Sequence, residues 1–220
     1  MTQRHEEKYL IDYRQYALLK ARTAEILTAD AHGKQGSYLI TSLYYDDPKD
    51  TALLEKQDGL ARHTKFRVRT YDGNATVIKL ERKVKQGILT EKQTASITRE
   101  RIPSLGFDTD GLEGTARELA VQMLAGGLRP AITVQYRRDA FFFSGTDLRL
   151  TFDTDLRVLL PTTESLFDTH IPGIPVQDAN TVIMEIKYGS FLPTFVRSLT
   201  AVPATQLSVS KYALCREKLK

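Results

Sequence analysis

Lys65, Arg67 and Arg69 occupy alternate positions of the stretch TKFRVRTY, with Phe66 and Val68 between them. Alternate side chains of an extended chain share a face, so the bases point one way and the apolar residues the other. A row of this kind can grip an anion, because guanidinium forks match the non-bridging oxygens of phosphate. The pattern recurs. In VIKLERKVK, Lys79, Glu81, Lys83 and Lys85 share a phase, while Ile78, Leu80 and Val84 take the other with Arg82. In VQYRRDAF one phase holds Tyr136 and Arg138, and in LRLTFDTD Arg149, Thr151, Asp153 and Asp155 oppose Leu148, Leu150 and Phe152. Glu185 and Lys187 share a phase in VIMEIKY, as do Glu6 and Lys8 in EEKYLI. Each of Glu6, Glu81, Glu185 and Asp153 falls close to a base, an arrangement suited to a divalent metal shared with phosphate.

Two arrangements explain these rows. An antiparallel sheet can place one face on a core and leave the charged face in water. Alternatively, the sheet closes into a barrel and the charged phase lines a polar interior. Enrichment of the polar phase in Lys and Arg beyond the chain's mild net charge favours the second, since solvated faces mix both signs. Alternation alone does not decide whether the sheet closes. Three bland readings also stand. Glu81 and Lys83 can form an ion pair of their own, Tyr136 can be a core ring, and Asp153 and Asp155 can be turn residues outside any metal set.

The elements that must position these residues are legible in part. Residues 13–28 carry Tyr16, Leu19, Ala24 and Leu27 near helical spacing, with Asp12 placed to cap the start. SYLITSLYYDD predicts a strand ending in a turn, and TALLEKQDG a short helix closed by Gly59. Strands dominate after Thr64, interrupted by helices predicted at Glu113–Ala125 and Leu192–Leu199, with a last helix at Lys211–Leu219. Residues 161–180, with three prolines and a glycine, predict a loop.

Composition narrows the classes. The chain has 220 residues, 41% apolar and 26% charged, with 31 Lys and Arg against 27 Asp and Glu. That is ordinary globular composition, and the net charge of +4 does not by itself call for nucleic acid. The aromatic residues fall mostly out of phase with the bases and form no stacking platform. One cysteine, Cys215, excludes an internal disulfide, and the four histidines show no metal spacing. No glycine-rich phosphate loop is present, so any grip on phosphate must come from side chains. The charged N-terminal stretch is no signal peptide, no run is long enough to span a bilayer, and the cytoplasm is the expected compartment.

Taken in order, RHEEKYLI, SLYYDD, KFRVRTY, LERKVKQGILTEK, VQYRRDAF, LRLTFDTDL, VIMEIKYG and LSVSKY resemble VTC domains, the polyphosphate polymerase domains of the vacuolar transporter chaperone complex and their stand-alone bacterial relatives. The resemblance implies one domain over residues 1–220, of α+β class: a closed antiparallel eight-stranded β-barrel, a triphosphate tunnel open at both ends, with helices packed outside. It implies transfer of the γ-phosphoryl group of ATP onto inorganic polyphosphate, with Mn²⁺ or Mg²⁺ as cofactor. By the same resemblance Arg67, Arg69, Lys83, Arg138, Arg149 and Lys211 are catalytic. Lys8, Lys92, Tyr136, Lys187 and Ser210 bind substrate, and Glu185, Glu6 and Glu81 hold metal. Lys65 is expected at the tunnel mouth, outside the core site. ATP, polyphosphate and pyrophosphate are the expected ligands, with no nucleic acid, no membrane insertion by this chain, and room for a membrane-protein partner. A tunnel triphosphatase and a non-catalytic polyphosphate-binding subunit remain as alternatives. Two departures from the wider family are Arg4, where hydrolytic relatives carry a glutamate, and Ser208, where some members carry a base.

Overall fold

The computed structural model describes residues 5–30, 36–87, 89–206 and 210–219, with Lys56 described in its backbone alone. Eleven strands form one sheet: β1 (His5–Asp12), β2 (Thr28–Ala29), β3 (Ser37–Asp46), β4 (Arg62–Tyr71), β5 (Lys79–Gln86), β6 (Leu89–Ser96), β7 (Arg129–Phe142), β8 (Arg149–Leu159), β9 (Ile174–Pro175), β10 (Thr181–Tyr188) and β11 (Thr205–Gln206). The main path runs β11-β1-β10-β8-β7-β3-β4-β5-β6, with β2 beside β7 and β9 beside β8, and every pairing is antiparallel. Among the described residues five α-helices accompany it: α1 (Tyr13–Ile26), α2 (Thr51–Gln57), α3 (Gly114–Ala125), α4 (Thr194–Leu199) and α5 (Lys211–Lys218).

The expected closed eight-stranded barrel is therefore corrected to an open eleven-stranded sheet. Among the described residues β6 has no second strand partner, and the outer edge of β1 pairs with β11 through two residue pairs only. All eight residues of β6 are exposed or half-exposed, so no buried face rewards drawing its edge onto β1. The bases of β5 and β6 also face those of β1 and β10, and like charges resist a tighter seam. Side chains span the gap instead: Lys83 of β5 meets Glu6 of β1 at 3.3 Å.

The alternation places its two phases as the physics requires. Phe66, Val68 and Leu80, on the outer face of β4 and β5, pack with Leu119 and Met123 of α3. Ile11, Leu150, Phe152, Met184 and Ile186 pack with Leu19 of α1 and Val196 of α4. The helix predicted from residue 13 begins there, and Asp12 caps it in a full capping box with Gln15.

One helix departs from the expectation that all lie outside. Tyr212, Ala213 and Cys215 of α5 cluster with Tyr44, Ile132, Val134 and Val158, and Tyr44 and Tyr212 are in ring contact at 5.0 Å. Since Tyr44 also bonds Arg67, α5 lies against the inner face. Burial pushes the Cys215 thiol up to about 12, which makes it a packing residue. Residues 161–180 are mostly irregular, as expected, with a single turn of 3₁₀-helix and the two-residue β9.

Asp46 docks α5. Its carboxylate accepts from the Tyr212 hydroxyl at 2.5 Å and from the backbone N–H of Ala52 and Asp47, each at 2.9 Å. Substituting Asp46→Ala strands buried donors and should cost about 2–3 kcal/mol. Urea unfolding measures this, and a loss within error of zero would show that α5 is held by packing alone.

Candidate active site

The inner face encloses a cavity of about 650 Å³, lined from β1, β3, β4, β5, β7, β10 and the start of α5. Nine lysines and arginines line it against three glutamates, an excess of six positive charges in a chain whose total excess is four. The basic row of β4 faces this lumen, not water.

Three carboxylate centres hold the cations. On β4 and β5, Arg67 and Glu81 stand opposite each other, and Arg67 Nε donates to Glu81 Oε2 at 2.6 Å. Lys92 of β6 also pairs with Glu81, and Arg67 Nη1 donates to the Tyr44 hydroxyl at 3.0 Å. Burial would raise the Glu81 carboxyl, but Arg67, Arg69 and Lys92 overcome it and hold it down at about 2. Arg69 is steadied by the Ser42 hydroxyl at 3.0 Å and the Tyr136 hydroxyl at 3.4 Å.

The second centre joins β7, β8, β10 and α5. Arg138 donates through Nε and Nη2 to the two oxygens of Asp153, at 2.6 and 2.7 Å. Lys211 bridges Asp153 at 2.5 Å and Glu185 at 2.6 Å, while Arg138 Nη2 reaches Glu185 at 3.4 Å and Lys187 reaches it at 3.2 Å. Burial would raise Glu185, yet Lys211, Lys187, Lys8 and Arg138 hold it well below the usual carboxylate range. Tyr136 lies beneath this group, with Arg138 5.3 Å and Lys211 5.1 Å from its ring centre.

The third centre is Glu6, paired with Lys8 at 2.9 Å and Lys83 at 3.3 Å. Because Glu6 stands opposite Lys187, and Lys8 opposite Glu185, β1 and β10 present a checkerboard of two acids and two bases. Glu6 is held well below its ordinary value: burial opposes, and Lys8, Lys187 and Lys83 prevail. Burial pushes Lys83 down to about 8, with repulsion from Lys187 and Lys8 adding to the shift against the pull of Glu6.

The structure thus brings Arg67, Arg69, Lys83, Arg138, Lys211, Lys8, Tyr136, Lys187, Ser210, Glu185, Glu6 and Glu81 to one cavity. Lys92 reaches its edge through Glu81. Arg149 does not line it: its guanidinium binds Asp30 at 2.6 Å and the Tyr38 hydroxyl at 2.9 Å. Lys65, set aside as a mouth residue, lines the cavity and donates to the Ser210 hydroxyl at 2.8 Å. The Glu81–Lys83 pair does not form, because both side chains turn to other strands. Arg4 and Ser208 lie outside the described residues.

Asp153 and Tyr44 are the residues that sequence reasoning missed. Asp-Thr-Asp resembles a turn, but β8 continues to Leu159 and takes up the irregularity at Asp155, whose φ is 52°. The phase shared with Arg149 and Thr151 was the signal that places Asp153 inside. Tyr44 carries the same phase as Ser42.

The three expected metal carboxylates do not form one donor group: among the described residues no cluster of three Asp, Glu, His or Cys side chains is set to hold an ion. Glu6 and Glu185 are near enough to repel one another, and their hard oxygens suit Mg²⁺ or Mn²⁺ taken as one or two carboxylates plus phosphate oxygens. Glu81, locked to Arg67 and Lys92, belongs to a different centre.

The VTC domain profile matches residues 3–220. This chain belongs to the VTC domain family. Among curated proteins none matches it significantly. Solved structures of like fold include a candidate adenylyl cyclase from Hippeastrum, described as having a dominant triphosphatase activity, with a TM-score of 0.55 and 16% identity over 97% of this chain and 95% of that one. Another is a candidate adenylate cyclase from Bacillus halodurans, at 0.53 and 13% over 95% and 96%. A third is a protein of Pyrococcus horikoshii OT3, at 0.51 and 12% over 97% and 99%. That likeness is one of fold, and in this VTC domain the wall of the cavity is an open sheet. No helix among the described residues is long and apolar enough to cross a membrane.

The low value of Lys83 has a measurable consequence. A polyanion beside it favours its charged form, so between about pH 8 and 9.5 binding should take up a proton, and below about pH 7 it should not, Lys83 being charged already. Calorimetry with tripolyphosphate and chelator, in two buffers of different ionisation enthalpy, reads this uptake. Lys83→Met should abolish it, and its persistence there would assign it to another group.

Proposed function

We propose that this VTC domain is an ATP–polyphosphate phosphotransferase, with the chain of phosphates lying in the lumen. The observation that carries the reading is the six-charge excess concentrated in one cavity, each base presented by a strand or the start of α5. Phosphoryl transfer asks a protein mainly to position its reactants and neutralise charge. Arg67 and Arg69 grip the nucleotide's phosphates with planar forks, and Arg138, Lys211, Lys8 and Lys187 hold the transferring group and the acceptor. Lys83, Lys92 and Ser210 complete the wall, with Tyr136 as its floor. Arg149, held by Asp30 and Tyr38, lies outside the cavity and has no part in this reading.

A terminal oxygen of polyphosphate attacks the γ-phosphorus, a new P–O bond forms, and the bond to the β-bridging oxygen breaks to leave ADP. That acceptor oxygen is already anionic and needs no base. Before substrate binds, every glutamate lining the lumen is engaged by at least two cations. Glu185 and Glu6 are the residues that would hold Mn²⁺ or Mg²⁺, and a bound ion would supply positive charge to offset that of the phosphates. The reading places the protein in the cytoplasm, free to hand product to a membrane-protein partner.

Hydrolysis of a triphosphate is the second reading, favoured by the triphosphatase activity described for the Hippeastrum protein. Incubation with ATP and Mn²⁺ or Mg²⁺, followed by gel analysis of polyphosphate and assay of free phosphate, separates the two. Long chains establish the transferase, phosphate alone establishes the hydrolase, and binding without turnover establishes a binding subunit. Arg67→Ala/Arg69→Ala should lower turnover by about two orders of magnitude or more, as loss of charge-stabilising donors does. Equal turnover would sink the assignment of the β4 arginines.

A further inference from the structure

Asp153 is 1% exposed and stands behind the cavity wall: Arg138, Glu185 and Lys211 line the lumen, and Asp153 does not. Its two oxygens take the Nε–Nη2 edge of Arg138, and one of them also takes Lys211. We propose that Asp153 is a positioning residue that fixes Arg138 and Lys211 for phosphate, while Glu185 is the anion that yields them to it. This rests on the phosphoryl-transfer reading of the lumen and names a role that reading does not supply.

Position and reach separate the two carboxylates. Arg138 and Asp153 are direct partners across β7 and β8, so backbone register sets their fork-on-fork geometry. Asp153 is a short side chain with no route to the lumen. Glu185 sits on the next strand, faces the cavity, and shares itself among Lys211, Lys187 and Arg138. A phosphate entering from the lumen side meets Glu185 first and can replace it at each cation. It cannot reach the Asp153 face of the same cations. When Glu185 gives way, Arg138 therefore keeps its orientation and Lys211 keeps a counter-charge. Without such an anchor, two long side chains crowded by like charges would turn apart.

The test compares wild type with Asp153→Asn, which keeps the shape and removes the charge. Binding cations all remain and the lumen becomes more positive, so KM for ATP or tripolyphosphate should not rise. Misorientation of Arg138 and Lys211 should lower kcat about 30- to 100-fold, the scale of a misplacement near 1 Å. The metal concentration at half-maximal activity should stay at its wild-type value, whereas Glu185→Gln should raise it. A wild-type kcat in Asp153→Asn overturns the proposal, and so does a raised metal requirement, which would make Asp153 a metal ligand. If Asp153→Asn does not fold, Arg138→Lys decides: it keeps the lumen charge, loses the fork, and should show the same fall in kcat without a rise in KM. An unchanged kcat there overturns the proposal as well. A wild type that neither binds nor turns over ATP and tripolyphosphate refutes the reading of the lumen itself, and the role of Asp153 with it.

Discussion

Repulsion among cations on one concave face is the constraint around which this protein is built. Two like charges about 4 Å apart repel by roughly 4 kcal/mol at an effective dielectric near 20. A domain of this size has about 5–15 kcal/mol of stability in all, so a few such contacts left unrelieved would open it. The three buried or half-buried carboxylate centres, at Glu81, Asp153 with Glu185, and Glu6, are the relief. Each sits where strand register brings bases from neighbouring strands together.

The same constraint explains the open sheet. A closed ladder between β6 and β1 would press Lys83, Lys85 and Lys92 towards Lys8 and Lys187. The seam is instead bridged by Lys83 and Glu6, a contact loose enough to rearrange. α5 closes part of the inner face with apolar side chains and delivers Lys211 from its first residue, between Asp153 and Glu185. Asp46 ties that helix to the turn that starts α2, so the position of Lys211 depends on a carboxylate at the far end of β3. Stability and site geometry thus share the same buried anions.

The cations of this lumen are paired with internal carboxylates. On the proposed phosphoryl-transfer reading, phosphate oxygens would replace Glu185 and Glu81 at these cations, so binding would exchange contacts instead of creating them from nothing.

Much of this was legible in the residues. Period-two alternation separated Arg67 and Arg69 from Phe66 and Val68, and the structure keeps that division on β4 and β5 and on β8 as far as Asp153, where the irregularity at Asp155 breaks the phase. Asp12 announced α1, and the helices at residues 114–125 and 211–218 fell close to where their patterns placed them. Alternation is local, set by the pleat, so a short stretch is enough to show it. Whether the sheet closes is not local: it depends on the distance between β1 and β6, which no stretch of sequence encodes by itself. The side chosen by α5 was equally hidden, because Tyr212, Ala213 and Cys215 are apolar enough for either face. Partners were hidden too. Glu81 chose Arg67 and Lys92 over Lys83, and Asp153 proved to be an interior anion, because pairing follows cross-strand register. Residue type and phase therefore determined which side chains could meet phosphate, and tertiary register and curvature decided which carboxylate holds each of them until it arrives.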